Sequence, residues 1–167
     1  MESIWKETLW GQFGAAIEML ENAVVACPEE LWKDRSRQPE FWYMVYHTLF
    51  YLDLYLSGTL EGFAPPAPYN MDETDPKGIL PERVYTKEEL RDYLEHGRNK
   101  CRAVIEALTD ERARERCRFP WGMEMSFAEL MLVNMRHVQH HAAQLNLILR
   151  QTTRSAPHWV ARAKSRL

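Results

Sequence analysis

A chain of 167 residues can bury one core and is too short for two ordinary domains, so a single domain over residues 1–167 is expected. Its 46% apolar content is that of a folded protein, and a net charge of -3 without a basic stripe excludes a protein that tracks nucleic-acid phosphates. Three widely spaced cysteines, Cys27, Cys101 and Cys117, fit neither a disulfide framework nor a thiolate zinc site, and point to a reducing, cytoplasmic location.

The stretch from Met1 to Glu7 lacks the basic start and apolar core of a signal peptide. The first predicted helix runs from about Ser3 to Ala26. Trp5, Leu9, Phe13, Ile17, Leu20 and Val24 recur along it every three or four residues and form one apolar stripe. Pro28 ends it and opens a short extra turn reaching Trp32. The second helix runs from about Pro39, suited to a first helical position, to Ser57, with Gly58 as its exit. Apolar residues cover every direction around its axis, which predicts burial on most sides and singles out His47 and Asp53. Asp53 is read as a capping or salt-bridge residue. The apolar run Phe41 to Leu56 is broken by these two residues and is short of a bilayer span, so no membrane is expected.

The stretch from about Leu60 to Tyr85 carries Pro65, Pro66, Pro68, Pro76 and Pro81 and reads as an unusually long connection. It is long enough to run the length of a helical bundle. Thr86 and Glu89 form a capping box that opens the third helix, ending near Leu108, with Leu90, Tyr93, Leu94, Cys101, Val104, Ile105 and Leu108 as its buried stripe. Asp110 to Arg118 is charged and reads as a short solvated helix, and Pro120 to Gly122 as a turn. Ser126 and Glu129 form a second capping box, opening a fourth helix that reaches about Gln151; the tail leaves the helix at Pro157. No stretch alternates as a strand would. The expected class is all-α: a four-helix bundle with a long crossover connection between helices two and three.

The fourth helix carries His137, His140 and His141. At about 100° per residue, His137 and His141 lie about 40° apart on one face, one turn apart along it. Two imidazoles at that spacing can reach one metal ion. Leu130, Val138, Leu145 and Ile148 fall in the same arc, so this face points to the core, while His140 falls at its edge. Buried imidazoles need partners on both ring nitrogens, which a metal on one and an acceptor on the other would supply. His47 sits midway along the second helix between Tyr43 and Tyr51, and helix midpoints meet in a bundle. His47, His137 and His141 are therefore the candidate ligands of a divalent metal, with Asn134 and Gln144 as candidates for the surrounding shell. A metal-free polar core is the plainer reading of the same residues. His96 and His158 are assigned to the solvated surface and the tail. Position 138 is valine, which excludes a His-Glu-x-x-His peptidase. No general base is evident; Tyr43, Tyr51 and His140 are the nearest catalytic candidates.

His47 to Asp53 in helix two and His137, His140, His141 and Gln144 in helix four, with Trp32 and the Pro157 to Trp159 tail, resemble the DinB/YfiT-like superfamily over nearly the whole chain. The resemblance implies a four-helix bundle whose middle connection crosses over. It implies nickel or zinc held by one histidine of helix two and a pair four residues apart in helix four, matching His47, His137 and His141. It implies a homodimer and a thiol S-transferase using a low-molecular-weight thiol; a tri-histidine metal that activates water or a carbonyl would equally suit a hydrolase, either acting on a small molecule. Ala142 and Ala143 stand where many members have Arg-Gly, which removes a charge that could contact an anionic substrate or a partner. The alternative function is a non-catalytic metal-binding or ligand-sensing bundle.

Overall fold

Helix dominates the chain, as its periodicity predicts. The computed structural model describes residues 3–167; Met1 and Glu2, the first residues of the stretch expected not to be a leader, lie outside the described residues. In chain order come α1 (Ser3–Ala26), α2 (Glu29–Trp32), α3 (Phe41–Ser57), α4 (Lys87–Ala107), α5 (Asp110–Arg114), β1 (Arg116–Arg118), β2 (Glu124–Ser126) and α6 (Phe127–Thr153). The four long helices pack in a ring, α1 on α6, α6 on α3, α3 on α4 and α4 on α1. Phe13, Ile17, Leu20, Val45, Leu49, Leu52, Leu90, Leu94, Leu130, Val138 and Leu145 fill the interior, none more than 1% exposed. Burial of each such side chain contributes roughly 1.5–3 kcal/mol.

The expected stripe of α1 takes hold only after its first turn. Trp5 is 63% exposed, and the buried side begins near Trp10 and Phe13. The tail supplies part of the cover there: the Ala163 amide donates to the Gly11 carbonyl (2.8 Å), and the Trp10 indole to the Ser165 carbonyl (3.0 Å). A Cβ on Gly14 would stand 2.7 Å from the Cβ of Ala163, so the tail lies where only glycine leaves room.

The second helix begins two residues later than expected. Pro39 precedes the helix, and Glu40 is its extended N-cap, with a buried carboxylate held by the Trp42 indole (2.7 Å) and Arg35 (2.6 Å). Gly58 closes α3 in the left-handed conformation, φ 79°, as its position suggests. The Thr86/Glu89 capping box of α4 is complete. At α6 only half of the expected box is made, Ser126 accepting from the Glu129 amide (3.2 Å). The expected helix over 110–118 is corrected: α5 stops at Arg114, Glu115 turns extended, and β1 pairs antiparallel with β2, Cys117 opposite Met125. Strands of three residues are too short for alternation to be legible.

Asp53 is 1% exposed and lies between α3 and α4. Lys100 donates to its carboxylate and to Ser57 (2.7 Å), Tyr93 donates to it at 3.2 Å, and the His96 ring lies 3.5 Å away. It is the salt-bridge residue expected from the sequence. The long connection between α3 and α4 holds one regular element, a 3-10 turn at Asp72–Thr74. Before that turn, Tyr69 stacks on Tyr93 (4.3 Å, 15°) and donates to the Glu89 carbonyl (2.6 Å). No helix among the described residues is long and apolar enough to cross a membrane.

Candidate metal centre

The packing of α3 on α6 brings His47 against His137 and His141. The Nε2 atoms of His47 and His137 stand 3.4 Å apart, and those of His137 and His141 3.1 Å apart. One ligand atom from each ring lies within 4.8 Å of the other two. Two rings are held by their outer nitrogens. Nδ1 of His47 donates to the Glu73 carboxylate (2.8 Å), and Nδ1 of His141 to the Gln144 side-chain oxygen (2.8 Å). A neutral imidazole that donates from Nδ1 carries a lone pair on Nε2. The lone pairs of His47 and His141 are thereby turned inward, towards Nε2 of His137.

These residues fit a metal ion. Nitrogens about 2.0–2.1 Å from a tetrahedral ion stand about 3.3 Å from one another, and the observed 3.1 and 3.4 Å bracket that distance. Hydrogen bonding among the rings alone is incomplete. His137 has one proton to offer two inward lone pairs, and its Nδ1 is buried with no partner among the described residues.

Burial, followed by the neighbouring His141 and His47 rings, pushes His137 down to about 3 from its ordinary 6.5. Burial and His47 push His141 down to about 4, against a raising contribution from Gln144. Both rings are neutral near pH 7. Because their folded values lie below the unfolded one, the unfolded chain binds more protons between them, and stability falls as pH falls. Metal-free protein is therefore expected to melt at a steady temperature above pH 7 and progressively lower from about pH 6.5 to 4.5, above most carboxylate titration. A flat thermal-melting profile across that window would contradict neutral burial of these rings.

Gln144 stands where the sequence suggests, on His141. Asn134 is fully buried, and its amide donates to the Leu52 carbonyl (3.0 Å), tying α6 to α3. The Tyr51 ring lies 4.8 Å from His47 and 5.8 Å from His137, but its hydroxyl donates to the Glu73 carbonyl (3.0 Å). Tyr43 lies 6.3 Å from His47, its hydroxyl kept protonated by burial and the Glu73 carboxylate. His140 is exposed and outside the convergent group, its ring 5.1 Å from that of His141.

A pocket of about 190 Å³, lined by His47, Tyr51, Tyr55, Trp121 and His137, opens beside the histidines. Trp121 belongs to the turn between β1 and β2 and stacks on Phe119 (5.1 Å, 19°). Sequence reasoning missed Tyr55, Trp121 and Glu73. Nothing local distinguishes Glu73 from the other acidic residues of the connection; the one signal was that His47 needed an acceptor for its second nitrogen. The three cysteines are buried, and burial raises their thiols, Cys27 to about 12.

The family model of the DinB superfamily matches residues 12–145, a span that holds all three histidines. No curated protein and no solved structure matches the chain.

Proposed function

This chain belongs to the DinB superfamily, and on that premise we propose that it is a divalent-metal-dependent enzyme acting on a small molecule, with His47, His137 and His141 as ligands. The observation that carries the proposal is the convergence of three Nε2 atoms, two of them with lone pairs fixed inward by Glu73 and Gln144. We read the ring of four long helices as a single four-helix bundle domain, the long connection after α3 being its crossover.

A zinc or nickel ion held by three imidazoles would lower the pKa of a bound water or thiol and polarise a substrate oxygen. The residues of the pocket favour the thiol reaction. Its walls are His47, Tyr51, Tyr55, Trp121 and His137, and they include no carboxylate or amine to take a proton from water. The Glu73 carboxylate is engaged by His47, and the Tyr51 hydroxyl by the Glu73 carbonyl. A thiol on the ion would be deprotonated outright at neutral pH, whereas a water there, with a pKa of ~7, would be only partly so, and the thiol has the lesser need of such a base. The chain's own cysteines are buried with raised pKa values and outside the pocket, so the thiol is an exogenous low-molecular-weight one. In the transfer the thiolate forms a new S–C bond, the bond from carbon to the leaving group breaks, and the leaving group departs with that electron pair. Tyr55 and Trp121 offer apolar faces to the electrophile. The second reading, a metal-binding sensor without catalysis, draws on the same lack of a base.

Zinc- or nickel-loaded protein is expected to accelerate reaction of a small thiol with an aryl or alkyl halide at least about tenfold over metal-free protein, roughly 1.4 kcal/mol of barrier. It is expected to do little to simple esters. If loading accelerates neither reaction, catalysis is overturned and the sensor reading stands.

A further inference from the structure

We propose that Glu73 is a positioning residue of the metal centre, fastening the connection between α3 and α4 to His47 so that cation binding and the seating of that connection form one equilibrium. The proposal rests on the metal assignment above.

Glu73 sits in the 3-10 turn Asp72–Thr74, far from either helix of the histidines in sequence. Its side chain is 2% exposed. One carboxylate oxygen is 2.8 Å from Nδ1 of His47, while the other, Oε1, is buried and meets no cation among the described residues, the Tyr43 hydroxyl being the neighbouring polar group. Among the described residues no lysine or arginine forms an ion pair with it. A buried carboxylate answered by one N–H and the neighbouring Tyr43 hydroxyl, with no cation beside it, is poorly compensated. Positive charge on the opposite nitrogen of the same ring supplies the missing compensation, and the carboxylate in turn makes that ring a stronger ligand.

The turn is also held mechanically. The Glu73 carbonyl accepts from Tyr51 (3.0 Å), and Thr74 donates to the Met71 carbonyl (2.8 Å). Asn70 and Asp72 bond to each other twice, at 2.8 and 3.0 Å. Whatever seats this turn seats the carboxylate. By reciprocity, a cation that draws on Glu73 through His47 holds the turn in place. Beyond the turn the chain from Pro76 to Leu80 is exposed, and Lys77 within it is a tryptic site.

Two measurements test this: the zinc dissociation constant by competition with a chelating dye, and the rate of tryptic cleavage at Lys77 with and without zinc. Glu73→Gln keeps the shape and an acceptor but removes the charge. It is expected to bind zinc about 10–100-fold more weakly than wild type, the range for partners of a ligand's second nitrogen. Zinc is expected to slow cleavage at Lys77 about tenfold in wild type by suppressing local opening, and far less in the variant at saturating zinc. Wild-type affinity in the variant, with helical content unchanged, would overturn the proposal. So would cleavage at Lys77 indifferent to zinc in wild type, a measurement that needs no variant to fold. Wild-type protein that takes up no zinc would overturn the metal assignment itself, a distinguishable failure.

Discussion

His137→Ala and His141→Ala should each yield folded protein without stoichiometric divalent metal, whereas His140→Ala should keep it. His137 is the middle of the group, its Nε2 3.4 Å from that of His47 and 3.1 Å from that of His141. Removing it leaves two imidazoles and an empty centre. His141 carries one of the two lone pairs whose direction is fixed, by Gln144 at 2.8 Å. Removing it leaves the other such ring, His47, with only His137. His140 is exposed and belongs to no convergent set. Metal content by elemental analysis separates the three variants. The loss should also appear thermally, because metal stabilises only the assembled site. At a free metal concentration about 1,000-fold above the dissociation constant, the stabilisation is about 4 kcal/mol. For a chain of this size that is roughly 10 °C in Tm. Both alanine variants should lose this metal-dependent rise and His140→Ala should retain it. If His140→Ala alone loses metal, the ligand set is wrong.

Asp53→Ala should do the opposite, costing the fold much of its stability while leaving the three convergent histidines in place. Asp53 is 1% exposed, and its carboxylate holds Lys100 and Tyr93 between α3 and α4. The Tyr93 hydroxyl, on a ring 1% exposed, would be left in the interior with no acceptor for its proton. Lys100 keeps its bonds to the Asp53 backbone carbonyl and Ser57, at 3.0 and 2.7 Å, and has partial access to water, which softens the loss. Breaking a buried pair by deleting one partner costs about 3–5 kcal/mol. With the residual bonds of Lys100, the lower part of that range is expected, a fall in Tm of roughly 10 °C. Metal per folded chain should not change. A melting temperature within a degree or two of wild type would show that the cluster is not a determinant of stability; loss of metal would show that it is coupled to the centre.

The difference between these two sites mirrors what the sequence made legible. The convergence of His137 and His141 could be read because α6 is regular: 100° per residue places both among Leu130, Val138 and Leu145, which are all buried, and His140 outside them. His47 and Asp53 could be found because α3 is apolar around its whole circumference, so any polar residue in it requires a partner. The Thr86/Glu89 box fixed the start of α4 for a similarly local reason. Periodicity carries no information where the backbone is irregular. It could not place the connection after α3, so Glu73 went unseen, nor show that the turn read at Pro120 to Gly122 joins two paired strands and brings Trp121 to the pocket. It also could not show that Trp5, within the stripe of α1, is largely exposed. Long-range partners of this kind are fixed by packing between elements, not by the spacing of residues along one.

The central claim, that His47, His137 and His141 share a divalent ion, is tested most directly by the metal content of protein purified without an affinity tag, exposed to zinc or nickel and dialysed. About one equivalent of zinc or nickel per chain is expected, removed by a chelator and recovered on re-addition. Protein that retains no metal after exposure to either ion, while remaining helical and folded, would contradict it.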